Sequence, residues 1–181
     1  FVDGASVSIV GDKTFEICRN NLDSIFTVSN EKLSFDMVEF YQDDGIILEP
    51  AGCLSVSCLG DVLKKYDKGR TLNIVCVLSG GNNDITRYNE IMDLSLKYHG
   101  LIHYFVITFS QRPGELKNFI NSVLGKEDDI IRFEYIKKSN INSGAVLIGI
   151  ELTDKNNLKN IQDNLNRYGF NYEKVDSNIL L

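Results

Sequence analysis

The chain has 181 residues, carries a net charge of −6 and is 43% hydrophobic. That is enough apolar content for one domain or two small ones, and too much for a disordered chain. The acidic balance excludes a basic nucleic-acid interface and a polybasic membrane anchor, and no apolar run is long enough to cross a bilayer.

The opening FVDGASVSIVG has neither a basic n-region nor a long apolar block. It does not read as a signal peptide. It reads as a chain entered in mid-protein. Ile25-Phe26-Thr27-Val28 is a brief β-branched apolar run. Glu31 to Tyr41 carries Leu33, Phe35, Met37, Val38 and Tyr41 and predicts a helix, which Asp44-Gly45 ends. Ile46-Ile47-Leu48 leads into Glu49-Pro50-Ala51-Gly52, and a second helix is predicted over Cys53 to Tyr66, closed by Lys68-Gly69. Asn73 to Leu78 predicts a short strand buried on both faces. It runs into Ser79-Gly80-Gly81-Asn82-Asn83-Asp84, with Asp84 the cap of a third helix ending near Gly100. Strand, glycine-rich turn and helix in this order predict α/β architecture.

The four cysteines, Cys18, Cys53, Cys58 and Cys76, form no CxxC pair, and only His99 and His103 are available to complete a metal site. Free buried thiols in a reducing cytoplasm are the expectation.

The second half has a different pattern. Leu101 to Phe109 predicts a strand. A helix opens at Arg112-Pro113-Gly114-Glu115-Leu116, with Pro113 at its first position and Leu116, Phe119, Ile120 and Val123 on one face. Gly125 stops it. Asp129 to Lys137 predicts a strand with Ile131, Phe133 and Tyr135 on one side and Arg132 and Glu134 on the other. A turn is placed at Asn140 to Gly144. Ala145 to Leu152 predicts a strand that alternates Val146, Ile148 and Ile150. Asp154 is the expected cap of a last helix, striped by Leu158, Ile161, Leu165 and Tyr168 and stopped by Gly169. Phe170 to Val175 is the final strand. The order βαββαβ is the ferredoxin-like split pattern, and it sets the boundary near Gly100, with units over 1–99 and 100–181.

Three segments in this order carry a resemblance: Leu48-Glu49-Pro50-Ala51-Gly52, then Val77-Leu78-Ser79-Gly80-Gly81-Asn82, then the βαββαβ module whose first strand and loop run from Tyr104 to Leu116. The opening Val2-Asp3-Gly4-Ala5 fits the same pattern. Each motif alone is common; together they resemble biosynthetic threonine dehydratases of the short form, with one ACT-like regulatory module. The resemblance spans essentially the whole chain. It implies that residues 1–99 are the C-terminal piece of a fold-type II catalytic domain that uses pyridoxal 5′-phosphate (PLP), and that 100–181 are an ACT-like domain.

The resemblance places the Ser79 hydroxyl on the pyridine nitrogen of PLP. A carboxylate there would hold that nitrogen protonated; a neutral hydroxyl leaves it largely unprotonated. That favours loss of a β-hydroxyl over racemisation or transamination. Gly80 and Gly81 allow the backbone close to the ring. Glu49 lies near the active site in this family; equally, it is an acid just ahead of a helix, where negative charge is favourable anyway. Asn82 either serves the Ser79 loop or caps a turn. The plain alternative for the whole segment is a polar turn after a buried strand. The family's Schiff-base lysine and phosphate cradle have no counterpart in the sequence. Lys64 and Lys65 sit in polar, surface-like contexts.

ACT-like modules bind small amino acids, usually between paired modules. Here the ligand loop is the first strand-to-helix connection. Gly114 lets a ligand approach the backbone, the helix start at Glu115 and Leu116 offers free N–H groups to a carboxylate, and Arg112 adds a cation. A well-capped helix with no ligand is the alternative. The resemblance implies isoleucine as feedback inhibitor, with valine opposing it, and a homo-oligomer through paired modules.

Two classes of function follow. One is an enzyme that turns L-threonine into 2-oxobutanoate and ammonia in the cytoplasm, of which this chain is the C-terminal part and is inactive alone. The other is a non-catalytic amino-acid-binding regulator. A serine/threonine dehydratase of the same fold is a milder variant of the first.

Overall fold

The computed structural model describes residues 1–135 and 143–175. The chain divides into two compact units, Phe1–Tyr98 and His99–Leu181.

The first unit is helical. A 3-10 turn at Asp3–Ala5 precedes α1 (Asp12–Asn21), α2 (Asn30–Asp44), α3 (Pro50–Ser57) and α4 (Leu59–Tyr66). A second 3-10 turn at Ile85–Arg87 runs into α5 (Tyr88–His99). The Ser29 hydroxyl caps α2 by accepting the Lys32 N–H at 3.2 Å. Gly45 ends it with φ of 68°, a left-handed value that glycine adopts without penalty. The small core is made of Leu33, Met37, Leu48, Cys53 and Ile91.

Several expectations for this unit are corrected. The helix foreseen over Cys53 to Tyr66 is two, α3 and α4, meeting at Cys58. Helix α1 lies outside the elements predicted from sequence, and it buries none of its residues. Among the described residues the unit contains no strand. Asn73 to Leu78 runs without a ladder, and Val75 is 89% exposed where burial on both faces was expected. An apolar run becomes a strand only where a neighbouring backbone completes its hydrogen bonds, and none in this unit does so. Nor are the thiols uniformly buried. Cys53 is, whereas Cys18 is exposed and Cys58 and Cys76 are half-buried; all four are free.

The second unit is an antiparallel sheet with two helices, in the order β1 (Ile102–Ser110), α6 (Glu115–Val123), β2 (Asp129–Tyr135), β3 (Ser143–Glu151), α7 (Asn157–Arg167) and β4 (Asn171–Val175). The strands lie as β2-β3-β1-β4. That is the βαββαβ topology, with β1 and β3 central and both helices packing over one core. Phe105, Ile107 and Phe109 of β1 and Val146, Ile148 and Ile150 of β3 meet Phe119, Val123, Ile161, Leu165 and Phe170. Gly149 is required where it stands, because an added Cβ would lie 2.7 Å from the Tyr104 ring and 3.0 Å from the Arg132 Cβ.

Ile131 was expected inward with Phe133 and Tyr135. A register shift between Ile130 and Arg132 changes this. The extra residue of a β-bulge resets the alternation, so Ile130, Phe133 and Tyr135 pack on the core while Ile131 is exposed. On α6 only Phe119 and Val123 are buried; Leu116 and Ile120 of the expected stripe face outward. Asp154 does not cap α7 directly. Its carboxylate accepts the Asn156 N–H at 2.9 Å, in the turn that leads into the helix. Ser143 and Gly144, assigned to a turn, belong to β3. The remainder of that turn and the forecast strand end at Lys137 lie outside the described residues. His103 is buried, its Nε2 2.8 Å from the Gly100 carbonyl oxygen. Burial pushes its pKa down, and nearby Lys174 adds to this.

Candidate functional site

In the first unit the two sequence motifs, thirty residues apart, lie side by side. The Ser79 N–H donates to the Gly52 carbonyl at 3.3 Å, and the Glu49 N–H donates to the Gly80 carbonyl at 3.2 Å. Local sequence explains the fit. Pro50 opens α3 at a position where its missing N–H costs nothing. Gly52 sits so close to the other segment that a Cβ would overlap the Ser79 carbonyl oxygen. Gly80 has φ of 81°, and a Cβ there would overlap the Glu49 carboxylate. Two glycines therefore set the closeness of the two segments.

Glu49 is the N-cap residue of α3, but its side chain makes no capping hydrogen bond. Its carboxylate lies against Gly80 and within 4.0 Å of where a Cβ on Gly4 would be. It stands at the positive end of α3 and faces the Ser79 loop at once. Ser79 is exposed, and among the described residues its hydroxyl has no hydrogen-bond partner. Gly81 backs onto the Ile47 carbonyl, which a Cβ would approach to 3.3 Å.

Asn82 is exposed, and its side chain makes no bond among the described residues. Its neighbour Asn83, not singled out from sequence, anchors the loop: its Nδ2 donates to the Leu48 carbonyl at 3.0 Å. The signal was present in the pair Asn82-Asn83, but a turn-forming asparagine and an anchoring one look alike in a sequence. Asp84 accepts the Thr86 N–H at 2.9 Å and so caps the 3-10 turn, and that backbone bond holds its carboxyl below the usual range. Beside the junction is a polar cavity of about 370 Å³, lined by Asp3, Gly4, Glu49, Asn82, Asn83 and Arg87 among others. Arg87 closes it, donating to the Asp3 carboxylate at 2.9 Å and to the Phe1 carbonyl at 2.8 Å.

In the second unit β1 ends at Ser110, and the loop to α6 holds the other candidates. Gly114 is the N-cap of α6 with φ of 91°, and a Cβ there would meet open space. Pro113 thus precedes the cap and does not occupy the first helical position, because only Gly114 can take the left-handed turn. The first helical bond runs from the Asn118 N–H to the Gly114 carbonyl at 2.9 Å, so the amides of Glu115, Leu116 and Lys117 precede the ladder. Arg112 is exposed and makes no ion pair among the described residues. Phe109 fixes the loop's origin through ring contacts with Phe119 at 5.3 Å and Phe170 at 5.7 Å. The loop brings Arg112, Gly114, Glu115 and Leu116 together at a helix start.

Among the described residues no group of three or more His, Cys, Asp or Glu side chains converges to hold a metal, and no helix is long and apolar enough to cross a membrane.

Comparison with known proteins finds similarity along both units. Residues 93–181 match the family described as the C-terminal regulatory domain of threonine dehydratase. A biosynthetic L-threonine dehydratase of Halalkalibacterium halodurans is 49% identical over 178 residues, 98% of this chain and 42% of the relative. Biosynthetic L-threonine dehydratases from two strains of Staphylococcus aureus are 46% identical over 181 residues, 100% of this chain and again 42% of each relative. The chain thus spans 42% of the length of these relatives, and the similarity runs through both units. The chain is similar over its whole length to part of the biosynthetic L-threonine dehydratases, and its residues 93–181 match the C-terminal regulatory domain of threonine dehydratase.

Proposed function

We propose that this chain is the C-terminal part of a PLP-dependent threonine dehydratase, which removes the β-hydroxyl of L-threonine to yield 2-oxobutanoate and ammonia for isoleucine synthesis in the cytoplasm. The observation that carries this reading is the junction of Glu49-Pro50-Ala51-Gly52 with Ser79-Gly80-Gly81-Asn82. The residues there suit one edge of the cofactor. Gly52 and Gly80 let the two segments touch, and among the described residues the exposed Ser79 hydroxyl has no hydrogen-bond partner. When bound, PLP supplies the electron sink for charge that develops at the substrate α-carbon. Ser79 offers the ring nitrogen a neutral hydrogen-bond partner, which keeps that sink moderate. Glu49 sets the polarity beside it, with Gly81 and Asn82 completing the loop. Among the described residues that line the neighbouring cavity there is no lysine. In this reading residues 1–99 are one edge of a fold-type II catalytic domain, and the Schiff-base lysine and phosphate cradle belong to polypeptide outside this chain.

The second unit, residues 100–181, acts as the sensor. Isoleucine places its carboxylate on the first-turn amides of α6, where the helix dipole is positive, and Arg112 adds a second charge-assisted contact. Gly114 leaves the ligand open access, and Glu115 and Leu116 border it. Valine competes for the same loop. Pairing of two such units covers the outer edges of β2 and β4, which have no further strand beside them among the described residues.

An assay for 2-oxobutanoate tests the enzymatic reading. The chain alone, supplied with PLP and threonine, is expected to give no more product than free PLP. A polypeptide of the relatives' full length is expected to turn over, and Ser79→Ala to abolish most of that turnover while PLP is retained. Turnover by the chain alone, or an unchanged kcat in Ser79→Ala, overturns the assignment.

A further inference from the structure

Two side chains outside the sequence motifs close the junction at its ends. Ser55, on α3, donates its hydroxyl to the Val77 carbonyl at 2.7 Å. Asn83 donates its Nδ2 to the Leu48 carbonyl at 3.0 Å. Between them lie the two backbone bonds, Ser79 to Gly52 and Glu49 to Gly80, at 3.3 and 3.2 Å. Positions 77, 79, 80 and 83 thus meet 55, 52, 49 and 48 in antiparallel order.

The end bonds are the shorter ones, and they fall where they are most needed. Residues 73–78 have no ladder, and Val77 is 67% exposed, so packing does not hold the segment that delivers Ser79. The glycines at the centre lack side chains that would resist a pivot. Two backbone bonds at the middle leave the segment free to rock about them; bonds at both ends remove that freedom. The anchors are firm at both ends. Leu48 belongs to the buried core, and Ser55 lies on α3 between Cys53 and Ser57, both buried. The Asn83 backbone is itself tied back, its N–H donating to the Gly81 carbonyl at 2.9 Å.

We propose that Ser55 and Asn83 are positioning residues that hold the Ser79 hydroxyl in place by stitching its loop to residues 48–55 at both ends. The functional part of this rests on the reading of Ser79 as the partner of the PLP ring nitrogen. The stitching itself does not, and the two separate experimentally.

The first measurement is amide hydrogen exchange on this 181-residue chain, without cofactor. Ser55→Ala and Asn83→Asp, which keeps the shape but loses the donor, are each expected to speed exchange at the Ser79 and Glu49 amides about fivefold, the effect of one net hydrogen bond. Amides of β1 and β3 serve as the unchanged reference. Ser55→Thr, which keeps the hydroxyl, is expected to restore the slow rate. Unchanged exchange at both amides in both variants overturns the proposal, as does a failure of Ser55→Thr to restore it. The second measurement is the cofactor absorbance spectrum of the full-length polypeptide with PLP bound. Ser55→Ala is expected to shift it in the same direction as Ser79→Ala and by less, again with restoration by Ser55→Thr. If exchange responds but Ser79→Ala leaves the spectrum unchanged, the stitching stands and the PLP reading of Ser79 falls. If Ser79→Ala shifts the spectrum and Ser55→Ala does not, the positioning role falls.

Discussion

Phe105, Phe109, Phe119 and Phe170 of the second unit are all shut away from solvent, whereas Val7, Ile9, Phe15, Ile25 and Val75 of the first stand more than half exposed. The contrast extends to whole elements. In the second unit every strand is paired and both helices bury residues on a common core. In the first, α1 buries nothing, and an open apolar groove of about 690 Å³ runs along it past Phe15, Leu22 and Ile25. Burial of apolar area is the main favourable term in folding, at roughly 25 cal/mol per Å². The second unit therefore carries the larger stabilising core, and the first buries a smaller one around Leu33, Met37, Leu48, Cys53 and Ile91.

This difference can be broken or sharpened by substitution. The largest effect is expected from Phe119→Ala, which empties the centre of the aromatic cluster and costs about 4 kcal/mol. Thermal denaturation of the excised His99–Leu181 unit should show the loss directly. Gly52→Ala comes next. Its methyl must displace the Ser79 carbonyl, a clash worth about 3 kcal/mol, and the loss should appear in the first unit together with faster exchange at the Ser79 amide. Ser29→Ala removes the N-cap of α2 and is expected to cost about 1 kcal/mol, read from a denaturant titration.

The mildest test varies pH. Folding lowers the pKa of His103 from its ordinary 6.5, because burial disfavours the imidazolium. The unfolded chain then binds the extra proton first, so stability rises with pH across this range. The contribution is complete above about 6.5 and is lost as pH falls toward the lower folded value. His103→Gln is expected to flatten this part of the stability profile of the second unit. A slope unchanged by the substitution would show that another group is responsible.

How much of this was legible in the sequence differs between the units for the same reason. The βαββαβ order could be read because each element of the second unit buries one face on a core made within about eighty residues, and periodicity reports that directly. What periodicity misses is a local irregularity. Ile131 was assigned inward because strict alternation has no means of announcing a bulge. Pro113 was assigned to the helix start because proline suits that position in general, while the left-handed turn required Gly114. In the first unit the apolar run Asn73 to Leu78 looked like a buried strand, since composition records what a segment prefers and not whether a partner is there to pair with it. The candidate PLP edge was legible as two motifs, Glu49 to Gly52 and Ser79 to Asn82. That they touch, and that Ser55 and Asn83 tie them together, depends on contacts across some thirty residues that no local pattern encodes.

The positive φ at Gly114 also shapes the decisive experiment. A bulky β-branched residue there would strain the backbone and confound loss of binding with loss of structure. Asparagine tolerates the left-handed region and still projects a side chain into the space above the loop, so Gly114→Asn is the better probe. The measurement is isothermal calorimetry of isoleucine on the excised His99–Leu181 unit, beside Gly114→Asn and Arg112→Gln. The account predicts saturable binding by the unsubstituted unit, weakened about tenfold by Arg112→Gln through loss of one charge-assisted contact and more strongly by Gly114→Asn, with all three proteins folded. A folded unit that binds no isoleucine, or one whose binding is untouched by both substitutions, would contradict it.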